Sequence, residues 1–577
     1  MKQKSFLFYL FLLFSLCQAF TIYGSEKSEV YEDYEPILEL YEMVSPEYMK
    51  GVVRNIEVLA DSYVFSDIIM NPPKPYEYLK ANISAEFAKI NTNEERHFYE
   101  FYRDIRKAFS VLSDTNFDII GSEIPFINDT VNFGAYTYCL PFKFYLDYED
   151  NSDVKIYIKE FPHCSRNYNA SVKEYIAEHQ NISVEEINGK NAFDYIQDFG
   201  SEFFKFKNKN SQFQIIIDSI HYNRLVFVPL LPKELNSIEI LFSNNDSFTT
   251  SFYVNKKDYT NKKNKPKNNF SKEMKKENII EIKENLENIK NHQLNEKESN
   301  DEIKWMYQTQ NGELKCRVDI TNSLNVIFIK TFDIEPMEEL QILSNCFNYF
   351  YAYRYPILVI TSQNWEGNNF ASYIFTQLLQ PKIPHKYKFA MKQTDLNREL
   401  FESNIKGFLN ARTCSPFDSW EDFIETTPDE YGEISHSRSK LFTTIPEDYF
   451  EGLEKLRKIY ESFAYMKKKP TDILILTDTV SYGAASNFIK SLQNYGGAIV
   501  ASYGGNPYLN KSNLVFDASL EPIDSTIYED SKVFNELKQY GFQIYNIPYA
   551  ENFENLEGDK YPMDFKVNSV DEETNIQ

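Results

Sequence analysis

Two short runs, Ile357–Ile360 and Ile473–Leu476, are apolar at every position. A strand with one wet face alternates apolar and polar residues. An uninterrupted apolar run is buried on both faces, as in a parallel sheet covered by helices. The segments around these runs fit that reading. Leu324–Ile329 and Ala498–Ala501 read as further strands. Met337–Tyr353, Phe370–Leu379, Glu447–Met466 and Ala484–Leu492 carry apolar residues at helical spacing. Such alternation from residue 303 to 577 predicts an α/β unit with a largely parallel sheet.

The rest of the chain divides by composition. At 577 residues it is too long for one core. Residues 25–129 read as mainly helical, with the runs Glu32–Met43 and Phe98–Leu112 interrupted by Pro72, Pro73 and Pro75. Between 134 and 254 the pattern turns to strands: Val154, Ile156 and Ile158 alternate with polar neighbours. A strand ending at Ile187 is followed by Asn188-Gly189, a pair suited to a tight turn, and by a helix from Ala192. Residues 255–302 are rich in Lys, Asn and Glu and cannot bury enough apolar surface to fold. They read as a charged linker, of which Ile279–Ile289 can form a surface helix.

The first residues carry Lys2 and Lys4, then an apolar run from Phe6 to Leu16, then Cys17 and Ala19 as small residues at an exit. That is the pattern of a secretory signal over residues 1–19, and the run is shorter than the roughly 20 residues of a spanning helix. The alternative is an uncleaved signal anchor. The expectation is a secreted or extracellular chain with no membrane span after signal removal. In that setting Asn82, Asn128, Asn169, Asn181, Asn245, Asn269 and Asn510 are N-glycosylation acceptors. Of the 6 cysteines, Cys17 falls in the signal, leaving Cys139, Cys164, Cys316, Cys346 and Cys414. Cys139–Cys164 is the first disulfide to expect in an oxidising compartment, while Cys346 reads as an ordinary buried cysteine.

Several function classes fall away. The net charge is −24 and no clustered basic face is visible, so no nucleic-acid partner is expected. There is no CxxC spacing, metal-ligand cluster or phosphate loop, so no metal and no cofactor are expected. Aromatic residues make up 16% of the chain but fall at core spacings, and no carboxylate pair accompanies them for glycoside hydrolysis.

In open parallel sheets, ligands bind at the carboxyl ends of strands. Two turns stand there, Thr361–Asn369 and Thr477–Ser486. The second opens a helix, whose N-terminal N–H groups can stabilise an oxyanion.

The stretch ILILTDTVSYGAASNFIKSLQNYGGAIVASYGGNP and the closing YPMDFKVNSVDEE resemble the tail-specific (C-terminal-processing) serine peptidases. The likeness is closest to the branch that resembles chlamydial protease-like activity factor. It implies a crotonase/ClpP-like α/β protease core at 303–577, preceded by a PDZ-like module at 134–254 and a helical N-terminal domain. Its implied activity is peptide-bond hydrolysis, with a polypeptide substrate or peptide ligand. The implied peptide-binding residues are Ile187, Asn188 and Gly189. The implied nucleophile position falls on Gly483, which has no side chain to attack with. The implied base falls on Asn116, within Leu112–Phe117, and asparagine does not accept a proton near neutral pH. Glu551 falls at the acidic position of the triad. The implied oxyanion region comprises Glu366, Gly367 and Ala484, where Glu366 brings an opposing negative charge. None of the seven histidines sits in a sequence context comparable to the family's base.

Three readings follow. The first is a catalytically silent homologue that binds polypeptide in the old cleft. The second is an active serine hydrolase with a displaced nucleophile, Ser481, assisted by a lysine such as Lys490; Ser481 reads equally as a helix cap. The third is a non-catalytic extracellular structural glycoprotein. The sequence leaves the oligomeric state open.

Overall fold

Ile357–Ile360 and Ile473–Asp478 lie side by side as parallel strands, with Ile357 opposite Ile473 and Ile360 opposite Leu476. They form the centre of a seven-stranded sheet in the computed structural model. That structure describes residues 30–32, 43–74, 76–114, 117–121, 136–149, 153–161, 168–203, 205–219, 222–224, 237–256, 305–309, 312–332, 336–361, 364, 367, 369–380, 388–443, 469–494, 497–509, 531–546, 548–553, 561–562, 565 and 572–573. The sheet runs Tyr307–Gln308, Leu314–Asp319, Leu324–Ile329, Ile357–Ile360, Ile473–Asp478, Ile499–Tyr503, Glu572–Glu573. Its first three strands pair antiparallel and the remainder pair parallel.

The two-residue period of the central strands separates two layers of core. Ile327, Val359 and Ile475 face one way and pack with Leu343, Phe350, Phe375, Phe488 and Leu492. Those partners come from the helices Pro336–Ala352, Asn369–Leu379 and Ala484–Asn494. Val326, Leu358, Ile360, Leu476 and Ala501 face the other way as a smaller cluster, joined by Trp305, Phe328 and Tyr503. Each large apolar side chain so buried contributes about 1.5–3 kcal/mol, which is why the unbroken apolar runs specify this sheet. The expected helix Glu447–Met466 lies outside the described residues.

A second sheet of six strands follows the order Ser247–Ser251, Ser237–Phe242, Val184–Ile187, Asp153–Glu160, Phe142–Glu149, with Lys190–Asn191 paired to Val184–Ile187. Ile156 and Ile158 are buried, as their alternation predicts. Asn188 and Gly189 form the tight turn, at φ of 51° and 71°. The overall architecture is therefore mixed α/β with several sheets. The linker reading at 255–302 and the proposed surface helix within it lie outside the described residues from 257 onward.

The N-terminal region contains the expected helix at Phe98–Ser110 and another at Pro46–Ser62. The latter starts where local chemistry dictates: the Ser45 hydroxyl accepts the Tyr48 N–H and Pro46 opens the first turn. The region is less purely helical than its periodicity suggests. Met43–Val44 pairs with Arg96–His97, and Asp118–Gly121 pairs with Phe542–Asn546 near the far end of the chain. A strand of four residues stabilised by a partner more than four hundred positions away leaves no local periodic signal.

The cysteine reading is corrected in one respect. Cys346 is not an ordinary buried thiol: it is bonded to Cys316, with Cα atoms 6.0 Å apart. The bond ties the strand Leu314–Asp319 to the helix Pro336–Ala352. Cys164 lies outside the described residues, and Cys414 is a free, half-buried thiol. Replacing Cys316 and Cys346 together by serine is expected to lower stability by about 3–4 kcal/mol, the loop-closure value for a crosslink of this span. Denaturant unfolding of the oxidised parent and the double variant measures it.

Candidate functional site

The parallel pairing of the central strands places their following turns in contact. Beyond the last paired residues, the Thr361 N–H donates to the Leu476 carbonyl and the Tyr482 N–H donates to the Asn364 carbonyl, at 2.9 and 3.3 Å. The turn after Ile357–Ile360 and the turn after Ile473–Asp478 are therefore neighbours at the carboxyl edge of the sheet, where an α/β protein holds its ligand.

Ser481 is committed to the inside of this junction. Its hydroxyl donates to the Thr361 carbonyl at 2.7 Å, lies 2.8 Å from Thr477 Oγ1 and 3.4 Å from Asp478 Oδ1, and is buried. No histidine or lysine is among these partners. Lys490 is buried in the helix that follows.

Gly483 is oriented differently. It sits at the start of the helix Ala484–Asn494 with φ +60°, and a Cβ at this position meets nothing within 4 Å. A left-handed residue between a strand and a helix projects its side-chain position away from the backbone, which is how a nucleophile elbow exposes its serine. Here the position is open among the described residues and carries no side chain. Ala484 begins the helix and is buried. Gly367 is glycine for another reason: it bridges to Phe332, and a Cβ there falls 2.3 Å from the Phe332 Cβ. Asn364 is fully buried and its Nδ2 donates to the Ile329 carbonyl at 3.3 Å. Glu366 lies outside the described residues.

Phe117, next to the expected base position, is linked to the same junction through the segment Lys205–Ser211. Lys205 Nζ donates to the Phe117 carbonyl at 2.8 Å, the Phe206 ring lies 5.6 Å from that of Tyr482, and Ser211 Oγ donates to the Thr479 carbonyl. Burial, then the neighbouring Arg106, push the Lys205 amine well below the ordinary lysine value, against the pull of Asp114. Asp114 is buried and accepts a 2.7 Å hydrogen bond from the Tyr63 hydroxyl. Asn116 itself lies outside the described residues.

Glu551 has a histidine partner that the sequence did not reveal. It lies on the strand Ala550–Phe553, paired with Lys388–Met391, and its Oε2 is 3.5 Å from His436 Nε2. The other ring nitrogen of His436 is 2.9 Å from Asp67 Oδ2, and Asp67 is also 3.1 Å from Lys392 Nζ. His436 and Glu551 are both fully buried. Burial by itself lowers the imidazole pKa, but Glu551 and Asp67 outweigh it and hold it up to about 9. Burial likewise raises the Asp67 carboxyl, yet the hydrogen bond from His436 and the charge of Lys392 leave it below the ordinary value. His436 is thus an imidazolium between two carboxylates, without room to take another proton. A signal for it does exist: Ile434–His436 is a short strand of a hairpin, so His436 shares its inward face with Ile434.

Ile187 ends the strand Val184–Ile187 of the six-stranded sheet and is fully buried. Asn188 is turned to the neighbouring strand: its N–H donates to the Glu239 carbonyl, and its Oδ1 accepts the Glu239 N–H, both at 2.8 Å. Gly189 has nothing within 4 Å of its Cβ position. The structure thus brings the turn that holds Ser481, Gly483 and Ala484 against Asn364, with Phe117 linked to it through Lys205–Ser211, while Gly367 packs on Phe332. Glu551 belongs to a separate cluster with His436. Among the described residues there is no group of acidic, histidine or cysteine side chains arranged to hold a metal, and no helix long and apolar enough to cross a membrane.

Solved structures similar to this chain include mature CPAF, at 9% identity over 91% of this chain and 93% of that one, with a TM-score of 0.45. Mature CPAF complexed with lactacystin matches at 9% identity over 90% and 92%, with a TM-score of 0.44. The photosystem II D1 C-terminal processing protease matches at 8% identity over 92% and 94%, with a TM-score of 0.31. No family model and no curated protein matches the chain.

The His436 network makes a pH prediction. Its folded pKa lies above the unfolded histidine value, so its stabilisation is complete below about pH 6.5 and is lost as pH rises through about 9. His436→Asn is expected to cost about 3–5 kcal/mol near neutral pH, since it leaves buried Glu551 without a counter-charge. Urea unfolding of parent and variant from pH 6 to about pH 10 should show the difference shrinking across the alkaline limb. A constant difference would place the histidine's charge outside the network.

Proposed function

We propose that this chain is a secreted peptide-binding homologue of the tail-specific serine peptidases that has lost hydrolytic activity. The observation that carries the reading is Gly483. The position that the sequence resemblance assigns to the nucleophile is a left-handed residue opening a helix beside the sheet's carboxyl edge, with free space in front of it among the described residues. That is where an attacking hydroxyl belongs, and glycine supplies none. The nearest serine, Ser481, has its hydroxyl spent on the Thr361 carbonyl inside the junction, which argues against a displaced nucleophile. His436 does not replace the missing base: it is buried, charged and held between Asp67 and Glu551.

In this reading the seven-stranded unit is the crotonase-like core and the six-stranded sheet is the PDZ-like module. An extended polypeptide adds to a sheet edge through main-chain hydrogen bonds and remains uncut, because the residue at the nucleophile position, Gly483, has no group to attack its carbonyl. Binding energy then goes to holding the chain rather than to a transition state.

The test is a fluorophosphonate probe on the purified chain, with mass-spectrometric mapping beside an active serine peptidase. No serine is expected to label, and Ser481→Ala is expected to leave that blank unchanged. Labelling at Ser481 that disappears in the alanine variant overturns the proposal. Gly483→Ser is expected to stay unlabelled, since Asn116 supplies no base, while costing about 1–2 kcal/mol for a side chain in the left-handed region. Reduced, unfolded casein is expected to bind the parent chain in a pull-down and to be recovered at full length; absence of binding would refute the peptide-binding half of the reading.

A further inference from the structure

We infer that Asn82, Asn169, Asn181 and Asn245 carry N-linked glycans, three of them around a single helix of the six-stranded module. All four are exposed. More tellingly, the Nδ2 of each makes no hydrogen bond, although Asn82 and Asn169 use their Oδ1 atoms and Asn245 its backbone N–H. Asn82 Oδ1 accepts the Ala85 N–H at 3.1 Å and caps the helix Ile83–Phe87. Asn169 Oδ1 accepts the Val172 N–H at 3.0 Å and caps the helix Ala170–His179. Asn245 sits at φ +67° in the turn between the strands Ser237–Phe242 and Ser247–Ser251, its N–H donating to the Phe242 carbonyl. Three buried asparagines outside Asn-x-Ser/Thr sequences differ, whereas Asn552 Nδ2 is buried without a partner. Asn55, Asn325 and Asn397 each spend Nδ2 on a backbone carbonyl. The reactive nitrogen is therefore free at the four sequon positions and engaged at these structural ones.

The chemistry is compatible with the folded geometry. Nδ2 attacks the anomeric carbon of a lipid-diphosphate-linked oligosaccharide. An N–C bond forms, the C–O bond to phosphate breaks, the lipid diphosphate leaves, and one Nδ2 proton is released. The product is still an amide, so Oδ1 keeps its place as a helix cap at Asn82 and Asn169. Asn169 stands at the start of the helix Ala170–His179, and Asn181 stands just beyond its end. Asn245 joins them from the hairpin: Ser243 donates to the Ser183 carbonyl at 2.9 Å, and Asp246 accepts from His179 at 3.0 Å. Glycans at these three positions cover this helix and its hairpin, so this end of the module faces solvent rather than a docked protein. The reading is independent of whether the chain retains any hydrolytic activity.

The test is expression of the full chain, with its own N-terminus, in a glycosylating eukaryotic host. Chain recovered from medium and cells is treated with peptide N-glycosidase in heavy-oxygen water, and conversion of each asparagine to labelled aspartate is read by mass spectrometry. Asn→Gln variants confound the result, because they also remove two caps and strain a left-handed residue. Ser84→Ala, Ser171→Ala and Ser247→Ala destroy the sequons while leaving each asparagine in place. The expected result is label at all four positions in the parent, and the loss of one glycan's mobility step in each serine variant. Unlabelled peptides at Asn82, Asn169, Asn181 and Asn245, in retained or released chain, overturn the inference.

Discussion

Parallel hydrogen bonding between Ile357–Ile360 and Ile473–Asp478 governs this structure, because it fixes where the two succeeding turns meet. Once Ile360 lies opposite Leu476, the chain must leave both strands at the same edge. Thr361 then pairs with Leu476, and Tyr482 with Asn364. The apolar side chains of these strands alternate between two buried layers, so a slip of one residue would exchange both layers at once. The register is therefore strongly specified, and with it the geometry of the junction that Gly483 and Ser481 occupy. A change of residue at position 483 alters the chemistry available there without disturbing the register that built it.

The buried charges depend on a different kind of constraint. Asp67, Lys392, His436 and Glu551 come from four distant segments and are linked in a row, Lys392 to Asp67, Asp67 to His436 and His436 to Glu551. Nearby hydrogen bonds reinforce the meeting: Asn71 donates to the Tyr431 carbonyl, Asn397 to the Ser62 and Lys392 carbonyls, and Val64 to the Pro548 carbonyl. Two carboxylates against two cations leave the group near neutrality, and that balance makes its burial tolerable. The network joins the segment after the helix Pro46–Ser62 to the strand Ala550–Phe553. An N-terminal region expected from periodicity to be a separate helical unit is thus packed against the far end of the chain.

Much of the core was legible. Leu324–Ile329 and Ile357–Ile360 fall on the residues their pattern marks, and the helix expected from Ala484 begins there. The Asn188-Gly189 turn was equally plain, since its backbone geometry is a property of those two residues. The strand Asp118–Gly121 was not, because its reason for being a strand is Phe542–Asn546. Cys346 was misread for a related reason: a sequence gives the spacing of cysteines but not their approach in space. His436 escaped notice because its neighbours are polar and its carboxylates lie at positions 67 and 551.

Sequence by itself determined the apolar strands, the strand-helix order and the absence of a side chain at Gly483, since these are local properties of residue type and spacing. Tertiary structure alone decided that the two turns share hydrogen bonds, that the Ser481 hydroxyl points into the junction, and that Glu551 faces a histidine. Each of those facts is a distance between atoms far apart along the chain. Local preference cannot fix such a distance; it is set when burial of the sheet and neutralisation of buried charge are satisfied together.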